Sequence, residues 1–433
     1  MSLSLFRGRF PAGPSFAAVA LLLGAGPLAR SQDIFPLAQN QAVRGLVEEA
    51  LERNPDIRAS RERTLAAMAR IDHAAALSDP VVSVGYEKGD AWLPGGGADT
   101  GPRVAVSQEL PYAGKRGLRR DLSTREADLT RHESGSVALG VIYATRKAVA
   151  DLLLARENIA IIQDQRSATA DIEELTRSRY AAGLAGQLDV LRAQAEVARF
   201  DQMRTHEEGL VASAIAEINR LRGQPGGTQV DLDLRLTDLM ARPLDLPSLA
   251  PLLTRAHGET PEVRAATTMV ERDRLVVDIA RRNLKPDFVV SSAYAFRGSL
   301  PDRFMLEVGV ILPAYRKSKQ RLAIAQAEAE LRSSQASQEA MVLRARAAVE
   351  KAYADYRAAV LEARTIEHEV LVIDALAVES ALAGFRSGQT PFISVLEAHR
   401  VLYEDRRQHA ELLFHILWHS ALLDAFGMER QSS

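Results

Sequence analysis

The residues with the clearest capacity for chemistry are three histidines near the C-terminus. His415 and His419, in the run His-Ile-Leu-Trp-His, lie four apart and so share one face of a helix, with His409 nearby. Such i,i+4 pairs hold zinc or copper in many proteins. Here no carboxylate or third ligand shares their register, so they read as packing or surface histidines, and neither a metal site nor a cofactor is expected. No catalytic constellation replaces them. The chain lacks HExxH, GxSxG, a P-loop and a strand-borne GxGxxG, and it contains no cysteine. A thiol nucleophile, disulfides, Cys-ligated zinc and an N-terminal lipid anchor are thereby excluded. Lys and Arg total 54 against 56 Asp and Glu, a net charge of -2, which lacks the basic excess of a nucleic-acid protein. The sequence does not describe an enzyme.

The larger organisation is a duplication. Asn54-Pro55-Asp56-Ile57-Arg58-Ala59 returns as Thr260-Pro261-Glu262-Val263-Arg264-Ala265. Leu110-Pro111, followed by Tyr112, Lys115 and Arg116, returns as Leu312-Pro313 with Tyr315, Arg316 and Lys317. Tyr180-Ala-Ala-Gly183 with Val190-Leu191-Arg192-Ala193 returns as Phe385-Arg-Ser-Gly388 with Val395-Leu396-Glu397-Ala398. The order is the same throughout, as in a tandem repeat. Residues 1–31, with Arg7 and Arg9 ahead of the apolar run Phe16–Leu23 and small residues around Ala29, read as a signal peptide. Residues 32–225 form the first repeat, 226–258 a linker, 259–427 the second repeat and 428–433 a tail.

Each repeat carries short helices, two strands and then very long helices. No proline interrupts 112–224 or 314–390, and both stretches are rich in strong helix formers with apolar residues three to four apart. Helices are expected over about 114–182, 187–222, 315–387 and 390–427, with the glycines at 183 and 388 at the turns between antiparallel partners. The first would reach on the order of 100 Å, a length suited to crossing a wide compartment. Strands are expected at about 81–87, 103–110, 287–297 and 303–312. Alternation puts Val82, Val84, Tyr86, Phe288, Val290, Tyr294, Phe304, Leu306, Val308 and Val310 on one face. Ser83, Gly85, Ser107, Glu109, Ser291, Glu307 and Gly309 fall on the other. An apolar outer and a small or polar inner face suit the wall of an outer-membrane barrel. Four strands cannot enclose a lumen, since about eight are needed merely to fill one with side chains, so such a barrel must be shared among chains. Soluble amphipathic hairpins, or a periplasmic coiled-coil adaptor or scaffold, form the competing reading.

These features together resemble the outer-membrane efflux protein (TolC-like) family over almost all of the mature chain. The most specific pieces are Tyr180-Ala-Ala-Gly183-Leu184-Ala-Gly-Gln-Leu-Asp189 and Phe385-Arg-Ser-Gly388-Gln389-Thr390-Pro-Phe-Ile-Ser394-Val-Leu-Glu397. The resemblance implies a mostly α fold with a small β part. Duplicated helical hairpins build a homotrimeric tunnel through the periplasm, and two β-hairpins per chain contribute to a shared twelve-stranded barrel in outer-membrane lipid. It implies a passive exit duct driven by an inner-membrane pump of the resistance-nodulation-division type through a periplasmic adaptor. It also places Asp189 and Glu397 at the pore constriction. Ser394 and Thr390 stand where the family carries an acidic and a basic gate residue. Tyr180, Gly183, Leu184, Phe385, Gly388 and Gln389 fall on the tips that meet the adaptor. The likeness is loosely greatest to the heavy-metal branch, which implies metal cations as cargo, with drugs, other small molecules or secreted polypeptides as alternatives.

Overall fold

The computed structural model describes residues 36–87, 101–240, 248–258, 260–297 and 301–425. The expected signal peptide, the tail 428–433, and residues 88–100 and 298–300 of the strand-connecting loops lie outside the described residues. The chain begins with α1 (Pro36–Gln39), α2 (Gln41–Arg53) and α3 (Pro55–Ala75). Strands β1 (Val81–Glu87) and β2 (Gly101–Leu110) then lead into α4 (Lys115–Ala181) and α5 (Gln187–Leu221). After α6 (Leu236–Met240) and α7 (Leu249–Gly258), the plan repeats with α8 (Pro261–Arg282), β3 (Asp287–Ala295) and β4 (Arg303–Ile311). Then come α9 (Arg321–Thr365), α10 (Leu371–Ser387) and α11 (Phe392–Ala425).

The duplicated Asx/Thr-Pro motifs start equivalent helices for the same physical reason. The Asn54 side chain accepts from the amides of Asp56 (2.8 Å) and Ile57 (3.3 Å), and Pro55 brings a preset φ and no orphan donor to the first helical position. Thr260 Oγ1 does the same for the Val263 amide at 3.4 Å. Asn54 adds a long-range bond from its amide to the Leu221 carbonyl (3.0 Å), which ties the start of α3 to the end of α5.

The stretch expected as one helix over 315–387 is divided by two π-turns, Arg316–Gln320 and Ile366–Val370. At the second, the inward positions Ile366, Val370, Asp374 and Val378 step by four. Four residues overrun a 3.6-residue turn, and the wider π-turn keeps them on one side.

The four strands form one antiparallel sheet in the order β1-β2-β3-β4. Its register pairs Val82 with Val106, Val104 with Tyr294, and Tyr294 with Phe304. The anticipated apolar face is therefore continuous, and it is bare: Val84, Phe304, Leu306 and Val308 are each at least 64% exposed. Patches this large on a folded chain mark a contact with a membrane or a partner. Strands β1 and β4 are unpaired edges within the chain.

Where β2 passes into α4, Lys115 is buried and donates to both carboxylate oxygens of Asp287 on β3 (2.9 and 2.8 Å). The Tyr112 amide donates to the same carboxylate at 2.7 Å. The main core lies further along the helices, where Leu152, Ile162, Ile218, Tyr356, Ile416 and Leu417 are almost fully buried. A second, small cluster of Ile172, Ala193, Phe385, Phe392 and Val395 sits at the far helical turns. No helix among the described residues is long and apolar enough to cross a membrane.

Candidate functional site

The two helical turns singled out by the repeat lie side by side. Each is built by a glycine in the left-handed region, Gly183 at φ +72° and Gly388 at φ +78°, a conformation that costs a residue bearing a Cβ about 1–2 kcal/mol. In the first turn the Gly183 amide donates to the Tyr180 carbonyl (2.9 Å) and the Leu184 amide to that of Arg179 (2.8 Å). In the second, the Gly388 amide donates to Phe385 (3.1 Å) and the Gln389 amide to Gly384 (2.8 Å). These paired reverse bonds are the Schellman pattern that closes a helix.

Beyond this shared frame the turns differ. Phe385 is buried and meets Phe392 edge-on at 6.0 Å between ring centroids, whereas its counterpart Tyr180 is exposed, as is Leu184. The Thr390 amide donates to the Gly384 carbonyl at 3.1 Å. A Cβ on Gly384 would lie 2.1 Å from Thr390 Oγ1, so any side chain at 384 would force Thr390 to move. Arg179, from the last turn of α4, lays its guanidinium over the Phe385 ring at 4.8 Å. It also donates to the carbonyls of Phe385 (2.8 Å) and Arg386 (3.2 Å). Arg179 and Gly384 are the residues that motif reading missed. Their signal lay in the alignment of the repeats, where the same position holds an arginine in one turn and a glycine in the other.

Asp189 is half-buried in the first turn of α5, its amide bonded to the Gly186 carbonyl at 3.1 Å. Ser394 is half-buried in the first turn of α11, and Glu397 is exposed one turn further on. No described residue of the same chain forms an ion pair with Asp189 or Glu397. A carboxylate at a helix N-terminus gains from the dipole while still presenting its charge to whatever lies outside the chain. The structure thus brings the ten turn residues to one end of the molecule and leaves the acidic ones open.

A family model described as "Outer membrane efflux protein" matches residues 46–224 and 252–420, most of both repeats. The chain belongs to that family. It is an outer-membrane efflux channel of tripartite systems, not an enzyme, and its helices form the periplasmic tunnel. Among its relatives, the cobalt-zinc-cadmium resistance protein CzcC of Cupriavidus metallidurans is 24% identical over 309 residues, 70% of this chain and 71% of that protein. The outer membrane protein TolC of Vibrio cholerae is 23% identical over 317 residues, 70% of each. Among solved structures, the outer-membrane channel OprN superposes with a TM-score of 0.79 at 22% identity, covering 98% of this chain and all of that one.

In this efflux channel His415 is exposed, while His409 and His419 are half-buried. His415 and His419 stack with centroids 6.1 Å apart, and among the described residues no group of three or more potential ligands is arranged to hold a metal. Burial pushes the His419 imidazole below its ordinary value. His415 and Lys351 push the same way, and Asp355 opposes them.

Proposed function

We propose that three copies of this chain form one exit duct for heavy-metal cations, fed by a periplasmic adaptor and an inner-membrane pump. The β4 edge of one copy would pair antiparallel with β1 of the next, giving twelve strands, enough to enclose a water-filled lumen where four are not. The bare apolar face then meets lipid, and Ser83, Ser107, Ser291 and Glu307 line the passage. Support for metal cargo comes from the likeness to CzcC over about seven-tenths of both chains, the observation that carries this reading.

At the helical turns, three copies of Asp189 and of Glu397 would ring the narrow end. Carboxylates gathered around an aperture concentrate cations and repel anions. Thr390 and Ser394 flank that ring without charge. Tyr180, Gly183, Leu184, Phe385, Gly388 and Gln389 would shape the adaptor-facing surface, with Leu184 at 67% exposure its most prominent apolar contact.

Deleting the chain from its host should lower tolerance to zinc, cobalt and cadmium several-fold, and plasmid-borne protein should restore it. Unchanged metal tolerance with lowered tolerance to organic toxicants would replace metal by drug export. In planar bilayers, Asp189→Asn should reduce cation preference without altering trimer yield. Unaltered selectivity in folded trimers would remove Asp189 from the aperture.

A further inference from the structure

We propose that Arg179 is a clasp that joins the two helical turns of one chain, so that the α4–α5 and α10–α11 hairpins move as one unit. The inference rests on reading these turns as the narrow end of the duct, and it adds a positioning residue that the family resemblance did not supply.

The argument begins with two helices ending at the same place. The last carbonyls of α4 and of α10 each present the negative end of a helix dipole. The amides of Gly388 and Gln389 take up the carbonyls of Phe385 and Gly384. Free acceptor capacity remains on Phe385 and Arg386, and the guanidinium of Arg179 fills it with bonds of 2.8 and 3.2 Å. The same group covers the Phe385 ring at 4.8 Å, adding a cation–π contact on a ring already packed into the small apolar cluster. One side chain of α4 therefore reads backbone, ring and dipole of α10 together.

The duplication shows that this is a division of labour. Counting from the aromatic residue of each turn, Arg179 corresponds to Gly384. The first turn supplies an arm where the second leaves a gap beside Thr390, where a Cβ would meet Thr390 Oγ1 at 2.1 Å. Gly388 borders the seat: Arg179 Nη2 lies at ordinary contact distance, 3.7 Å, from where its Cβ would be. The bonds run to carbonyls rather than carboxylates, so they form without an acidic partner and survive acidification that would protonate one.

The test uses the full-length trimer. Because the chain has no cysteine, Ala182→Cys and Ser387→Cys place one nitroxide on each turn with no background labelling. Pulsed electron–electron resonance on the labelled parent should give a narrow short-distance peak. Arg179→Ala should broaden and lengthen it. Arg179→Lys, which keeps charge without the planar fork, should fall between the two. In bilayers, single-channel conductance should rise several-fold in Arg179→Ala and partly return in Arg179→Lys. An unchanged short-distance peak in folded Arg179→Ala trimers would overturn the clasp. A broadened peak with unchanged conductance would uphold the clasp and instead overturn the reading of these turns as the aperture. If Arg179→Ala fails to assemble, Arg179→Gln carries the same two measurements.

Discussion

The two repeats solve the same two problems differently, once at each end of the long helices. Below the sheet, the first repeat buries Lys115 against Asp287, whereas in the second the corresponding basic cluster enters a π-turn with Arg316, Lys317 and Lys319 all exposed. At the far end, the first turn extends an arginine and the second receives it. One repeat thus supplies charged arms directed inward and the other the surfaces they grip. A duplicated chain need not keep duplicated contacts, and specialisation of the halves is what converts two similar hairpins into one cooperative unit.

The largest expected effect is at the strand–helix junction. Lys115→Met strands the Asp287 carboxylate, and breaking such a pair costs about 3–5 kcal/mol. The protein's melting temperature should fall sharply. Lys317→Ala, its counterpart in the second repeat, should change stability by no more than about 0.5 kcal/mol. Equal losses in the two variants would erase the asymmetry.

Next come the turns. Gly384→Ala forces a Cβ against Thr390, an overpacking cost of about 1–3 kcal/mol, and trypsin should cut faster after the exposed Arg386. Gly183→Ala has open space around its new methyl and carries only left-handed strain, about 1–2 kcal/mol. Its effect should stay within the first turn. Faster cleavage after Arg386 in Gly183→Ala than in Gly384→Ala would invert the assignment of the closed turn.

A smaller contrast separates α11 from its counterpart α5. Burial, the largest cause in each case, holds His399, His409 and His419 of α11 below their ordinary value near 6.5. Arg406 pushes His399 the same way, while for His409 the lowering by His368 is opposed by Glu367. The histidine of α5, His206, is exposed. An unfolded chain takes up protons below about pH 6.5 that these folded imidazoles refuse. Their contribution is therefore complete above about pH 7, falls as the pH drops through 6.5, and levels off below the folded values. The melting temperature should drop by a few degrees between pH 7 and 5. His409→Gln should flatten part of that drop.

Much of this was legible in the residues. Alternation alone sorted Val82, Val84, Phe304 and Leu306 from Ser83, Ser107 and Glu307, because strand period two leaves each side chain only two directions. Gly183 and Gly388 announced their turns because only glycine takes positive φ cheaply. The π-turns were not visible, since widening a helical turn changes no propensity and depends on where distant partners sit. Arg179 was hidden for a related reason: its partners lie about 206 positions away, and on α4 alone it reads as a solvated arginine. The pair Asn158–Glu207, buried between α4 and α5 at 3.2 Å, was equally unreadable from spacing.

The 67 residues of α4 make a rod of about 100 Å whose upper end is pinned by Lys115 and whose lower end carries the first turn. Geometry makes such a rod a lever with its fulcrum at the membrane. A tilt of about one degree at the junction displaces the far end by about 1.7 Å over that length, roughly the radius of a water molecule. A passage bounded by these turns would therefore open or close while asking almost nothing of the sheet at the other end of the same helix.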